Sequence, residues 1–352
     1  MFTLALLLST WIPMAFFLAV GSVGSPGGGV DTVKAGLLFI GGVHVAATLL
    51  LYVDRKFLRL VVEDKVRYVY VPFAAIVASG FVFTAGGAAV QASALLAFWA
   101  WQTHHYGRQN VGVYSFAGMA RGWRPHPRER RALDLATVCA VCGTFRVLAK
   151  DVATPALHPL FDALSWIGAA GFVGVLVVSV SFYLTHRTEF SALRTACFFT
   201  LVLFFLPMFL STDLDVAFFS YAIAHGTQYL AFMAAVSVGL GAREGRRGVS
   251  PAMVTMAALL VLLGVVGYRA ADLKAVALVG TSPALTSVID FLAGIGLGFT
   301  VAHFVIDAGA WRLSRPSARR YVTERFGFLC EPGSSAPSRL GVPDHGPGAS
   351  AR

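Results

Sequence analysis

Nine histidines occur in this 352-residue chain, and five of them sit where histidine is costly: inside long apolar runs. They are His44, the adjacent pair His104 and His105, His225 and His303. Imidazole nitrogens from several helices can jointly bind iron, copper or zinc. His126, His158, His186 and His345 fall in loops, helix ends or the tail and call for no such role. Around the five are other polar side chains at helical spacing. His303 and Asp307 are four residues apart and share a face, with Thr300 and Trp311 along the same stripe. Asp307 can serve as a ligand, as a carboxylate that fixes an imidazole tautomer, or as a helix-end cap. Tyr221, His225, Gln228 and Tyr229 make one polar-tipped face suited to supporting or substrate hydrogen bonds, or to joining helices. The run Trp101 to Asn110, which includes Arg108 and Gln109, is the most polar stretch in an apolar segment. Neighbouring side chains on a helix diverge by about 100°, so only one of His104 and His105 can face a common centre.

The elements that carry these residues follow from composition. The chain is 57% hydrophobic and 13% charged, with a mean hydropathy of +0.70. That is about half the charge of a soluble domain, and the charges are confined to short segments between apolar runs. Such a pattern implies an all-α polytopic membrane bundle. Ten apolar segments can be marked, at 2–20, 33–53, 68–88, 89–107, 132–149, 163–185, 193–210, 213–240, 251–269 and 286–311. The first lacks a basic leader and reads as a spanning helix rather than a cleaved signal peptide. Residues 1–327 form one transmembrane domain, and 328–352 read as a disordered cytoplasmic tail rich in Pro, Gly and Ser.

Loop charge gives an expected orientation. Arg and Lys follow the even-numbered segments (Arg55, Lys56, Arg59; Arg108, Arg121, Arg124; Arg187, Arg194; Arg243, Arg246; Arg312, Arg315) and are sparse after the odd-numbered ones. The positive-inside bias then places both termini in the cytoplasm of a bacterial inner membrane. The net charge of +10 reflects these loops and anionic lipid, not nucleic acid. All four histidine-bearing segments are even-numbered, and each histidine comes roughly ten to sixteen residues after its segment begins. At 1.5 Å per residue they lie within about 10 Å of one another in depth, in the cytoplasmic half. The expected metal set is therefore His44, His104 or His105, His225 and His303, with Asp307. Tyr221, Gln228, Tyr229, Arg108 and Gln109 stand around it.

Other motifs carry little chemistry. Cys139 and Cys142 form a CxxC on an apolar helix face without a second pair, which reads as packing. Gly294, Gly296 and Gly298 follow no strand, so they read as helix packing and not as a dinucleotide fingerprint. Pro13 and Pro207 are kink candidates. Walker A, HExxH and G-x-S-x-G signatures are absent. The expectation is a histidine-ligated, iron-dependent membrane oxygenase, desaturase or hydroxylase acting on a lipid-like substrate with a separate electron donor. Haem, copper and zinc are the alternative cofactors. A haem- or quinone-linked electron-transfer protein and a His/Asp-relay transporter or channel are the alternative functions. The layout is similar in outline to the membrane carotenoid-cleaving dioxygenases related to bacteriorhodopsin accessory proteins, which are polytopic and use helix-borne histidines. That resemblance covers layout only and assigns no residue roles. The HxxxH and HxxHH boxes of membrane di-iron desaturases are missing.

Overall fold

The structure, a computed structural model, describes residues 2–22, 41–152, 155–211, 214–243 and 283–326. All regular structure among them is helical. In chain order we label α1 (Phe2–Ser22), α2 (Gly41–Val53), α3 (Arg55–Glu63) and α4 (Val71–Ala85, entered through a π-helical turn at Val66–Tyr70). There follow α5 (Ala88–Ala120), α6 (Pro127–Val152), α7 (His158–Thr185) and α8 (Ala192–Leu210). The last are α9 (Leu214–Arg243), α10 (Pro283–Ala310) and α11 (Pro316–Phe326). The stretches Val66–Ala85, Pro155–Thr185, Ala192–Leu210 and Thr286–Ala310 are long and apolar enough to cross a membrane. The apolar segment 251–269 and the tail 328–352 lie outside the described residues, as do Lys34, Arg246 and Lys274.

The polarity is distributed as helices able to cross a membrane require. Large apolar side chains face outward on α1 (Leu4, Ile12), α4 (Phe73, Phe81), α7 (Trp166, Ile167, Val177) and α10 (Leu292, Phe299), while polar groups collect inside. Helices approach closely where small residues allow it. A Cβ on Gly294 would come 2.4 Å from the Ser79 carbonyl, and one on Gly298 would come 2.5 Å from Ile76 Cα, so α10 lies directly on the α4 backbone. Gly168 on α7 similarly meets the Cys139 carbonyl and Cys142 on α6, the packing role expected for that cysteine pair. α8 breaks into a 3₁₀ turn at Leu203–Phe205 just before Pro207, whose missing N–H cannot bond back to that turn.

One element differs from its sequence reading. Hydropathy ends the fourth segment at residue 107, with Arg108 in a loop. Instead α5 runs on as an unbroken helix of 33 residues to Ala120. At 1.5 Å per residue it is about 50 Å long, against a hydrocarbon core of about 30 Å. Its polar residues find partners without breaking the backbone: Arg108 pairs with Asp134 at 2.6 Å and Gln109 donates to Gln228 at 3.2 Å. The helix stops at Gly122, whose positive φ of 73° only glycine adopts at little cost.

At one end of the bundle, α3 and α11 join the ends of α2, α5 and α9, and an ion pair joins α6 to α8 beside them; together they form a polar cap. Asp54 caps α3 by accepting from Lys56 N at 2.9 Å, and its carboxylate also takes both arms of the Arg325 guanidinium on α11. Phe326 fills the space between Phe116 and Phe232, and Tyr321 packs on Phe57. Glu129, fully buried, accepts from Arg194 at 2.8 and 3.1 Å and from the Tyr114 hydroxyl at 2.5 Å.

Candidate metal centre

Four helices bring one histidine each to a single point: His44 on α2, His105 on α5, His225 on α9 and His303 on α10. None is more than 7% exposed, so water does not satisfy their nitrogens. Thr10, Thr48, Gln228, Tyr229 and Asp307, also buried, make up the polar surroundings.

The Nε2 atoms of three of these rings converge. His44 Nε2 lies 2.9 Å from His303 Nε2 and 2.9 Å from His225 Nε2. Both neighbouring rings stand nearly perpendicular to His44, at 88° and 89°. An imidazole nitrogen carries either one lone pair or one N–H, directed in the ring plane. His44 Nε2 therefore cannot serve two nitrogens as hydrogen-bond partners at once. Lone pairs converging on one point inside a water-excluded core ask for a cation. Nitrogen ligands bound to one ion at about 2.0–2.1 Å lie about 2.9 Å apart at right angles and about 3.3 Å apart at tetrahedral angles, so the two 2.9 Å spacings are close to what a shared ion requires.

The remaining ring nitrogens explain how the convergence is held. His44 forms a hydrogen bond with the Gly41 backbone one turn earlier on α2. His303 Nδ1 lies 2.5 Å from Thr48 Oγ1, which is 2.9 Å from the Tyr229 hydroxyl. Tyr229 donates onward to Asp307 Oδ1 at 3.0 Å, and Asp307 Oδ2 returns to within 3.6 Å of His303 Nε2. His105, His303 and Asp307 thus form a second group able to hold an ion, sharing His303 with the first. His105 stacks on Phe304 with ring centroids 4.3 Å apart, and its Nε2 is buried without a hydrogen-bond partner. Nδ1 of His225 is likewise without one. Tyr106 covers the other side of His225 at 4.1 Å between centroids.

Of the two adjacent histidines, His105 is the one turned inward, while His104, one step round α5, is exposed. Arg108 also faces out, paired with Asp134 and more than half exposed, so it does not join the cluster. Tyr221 is fully buried but one ring removed, packed on Tyr106 and Phe218. Gln228 and Gln109 form a neighbouring bridge: Gln109 donates to the His225 carbonyl at 3.2 Å and Gln228 donates to Thr10 at 2.6 Å. Thr48 was not among the residues singled out by sequence. The signal was present, since it lies one turn after His44 on the same face.

The donor set, three or four imidazoles with one carboxylate, suits a first-row transition ion and excludes none of iron, copper or zinc by softness. Comparison with protein-family models, with curated proteins and with solved structures finds no match to this chain.

Proposed function

We propose that this chain is a multi-pass membrane metalloprotein whose centre is held by His44, His225 and His303, with His105 and Asp307 completing the donor set. The observation that carries this is the approach of His44 Nε2 to within 2.9 Å of both His225 Nε2 and His303 Nε2 in a buried cluster, since a single ring nitrogen cannot make two good hydrogen bonds. A bundle of about ten spans with both termini in the cytoplasm is the topology that the loop charges support. Within that reading, the best-supported activity is a non-haem iron oxygenase, hydroxylase or desaturase working on an apolar, lipid-like substrate.

Iron bound here would supply one-electron and dioxygen chemistry, fed by a separate electron donor. The chain's own residues do the rest. The histidines supply neutral nitrogen donors from four helices, so no single helix movement can dismantle the set. The Phe304 and Tyr106 rings shield it from water, which protects reactive species and strengthens every local electrostatic interaction. The apolar side chains exposed on the outer helix faces support a setting among acyl chains, where a hydrophobic substrate would be concentrated. A haem between two of these imidazoles is disfavoured, because it needs a flat slot between their Nε2 atoms and His44 is already in contact with both neighbours.

Elemental analysis of the purified protein tests the reading. Wild type should carry iron near one equivalent without a Soret band, and His44→Ala, His225→Ala and His303→Ala should each lose most of it. Full occupancy in all three variants would sink the shared centre. Copper or zinc in place of iron would keep the centre and reject the oxygenase assignment.

A further inference from the structure

Thr48 sits where α2 is locally irregular. Its N–H reaches back only three residues, to Val45 at 3.2 Å, and Leu51 in turn bonds Thr48 O at 3.1 Å, again at three-residue spacing. The helix is tightened there to 3₁₀ form, which stacks side chains at i and i+3 and alters the direction in which each leaves the axis. The tightened turn presents the Thr48 hydroxyl, 2% exposed, between two other helices: to His303 Nδ1 on α10 and to the Tyr229 hydroxyl on α9.

From the centre, the bonded atoms run His303 Nε2, His303 Nδ1, Thr48 Oγ1, Tyr229 OH, Asp307 Oδ1, Asp307 Oδ2, and back to the centre. This loop has one hydrogen-bond direction that leaves metal-binding atoms at both ends. Asp307 as a carboxylate accepts from Tyr229, Tyr229 accepts from Thr48, and Thr48 accepts from His303 Nδ1–H. His303 Nε2 is then a lone pair aimed at His44 and His225, and Asp307 Oδ2 is a free acceptor beside it. In the opposite direction Thr48 donates to Nδ1, so the ring proton moves to Nε2 and points into the centre, where it blocks coordination. A hydroxyl is the group that can pass the direction along, because it donates one proton and accepts another.

We infer that Thr48 is a positioning residue of the metal centre: with Tyr229 it sets the tautomer and ring angle of His303 and ties that ring to the Asp307 carboxylate. This rests on the metal reading proposed above and deepens it. It assigns the function of an outer partner, which commonly tunes metal affinity ten- to a hundredfold, to a residue that binds no metal itself.

The test uses Co(II) as the probe ion, titrated into metal-free full-length protein in lipid nanodiscs and followed by its visible ligand-field bands. Thr48→Val keeps the side-chain volume but removes the hydroxyl. It should weaken Co(II) binding about ten- to a hundredfold and shift the bands, and Thr48→Ser should restore both. Tyr229→Phe, which deletes only the next hydroxyl in the loop, should shift the bands in the same sense. It provides the reading should Thr48→Val fail to fold by circular dichroism. Wild-type affinity and an unchanged spectrum in the folded Thr48→Val or Tyr229→Phe protein overturn the positioning role while leaving the centre intact. Failure of the wild type to bind Co(II), or binding that survives His44→Ala unchanged, overturns the metal centre itself.

Discussion

The molecule buries polar groups in two places and resolves them in opposite ways. In the polar cap every described buried charge meets its opposite. Glu129 is enclosed by Arg194, Tyr114 and the His126 N–H, and Asp54 takes a two-armed grip from Arg325. In the histidine cluster like faces like, nitrogen against nitrogen, and two buried ring nitrogens find no partner. Buried polar groups in native proteins are satisfied, and an exception calls for an explanation. The cap is complete without any addition and reads as architecture. The cluster gathers buried nitrogen donors that could hold a metal ion and reads as a binding site.

The largest effect that could break this contrast lies in the cap. Arg194→Ala leaves the buried Glu129 without its countercharge, held only by the Tyr114 hydroxyl and the His126 N–H, and should destabilise the protein by about 3–5 kcal/mol in denaturant unfolding. Replacing both partners with apolar residues, as Glu129→Leu with Arg194→Met, should return stability close to wild type. A double variant as unstable as the single one would mean that the pair does more than satisfy itself.

Next in size is the response to metal. At a free concentration one hundred times its Kd, the bound ion should stabilise the wild type by about 2.7 kcal/mol, read as a rise in thermal midpoint. Arg194→Ala should gain the same increment from its lower baseline, whereas His225→Ala should gain nothing. An equal gain in His225→Ala would erase the distinction between the two regions.

The smallest effect sharpens the contrast at the rim. Arg315 donates to Asp64 at 2.8 Å and, with help from the Arg67 N–H, holds that carboxyl below its ordinary pKa of 3.8. A carboxyl lowered in the folded state adds stability that is full above 3.8 and is lost as pH falls through the folded value. Arg315→Ala should therefore cost less than about 1 kcal/mol at neutral pH, because the pair is partly exposed. The gap to wild type should close below about pH 4. A gap that persists at pH 2 would show that Arg315 acts by packing and not by charge.

The histidine centre was legible because polar residues are expensive in apolar segments, and their even spacing in depth made the four helices stand out. Which of His104 and His105 faces inward was not legible: the two differ by one step of the helix, and only the packing of α5 against α9 and α10 decides it. The length of α5 was misjudged for a physical reason. Hydropathy reports what lipid would accept, but the run after Gly107 is buried in protein, where Asn110, Tyr114 and Phe116 are all covered. Thr48 was overlooked because a threonine among leucines carries no cost that sequence alone makes visible. Its importance comes from a ring 255 residues away.

The unbroken run of α5 has a mechanical consequence. His105 stands at the centre and Tyr114, nine residues on, clasps Glu129 in the cap, so about 14 Å of rod without a joint separates them. Two residues on from His105, Gly107 is pressed so closely on Thr137 that a Cβ there would collide with its hydroxyl, which keys the rod into α6. The strut thus fixes the separation between the histidine cluster and the Glu129 clasp, so neither end of α5 can be set independently of the other.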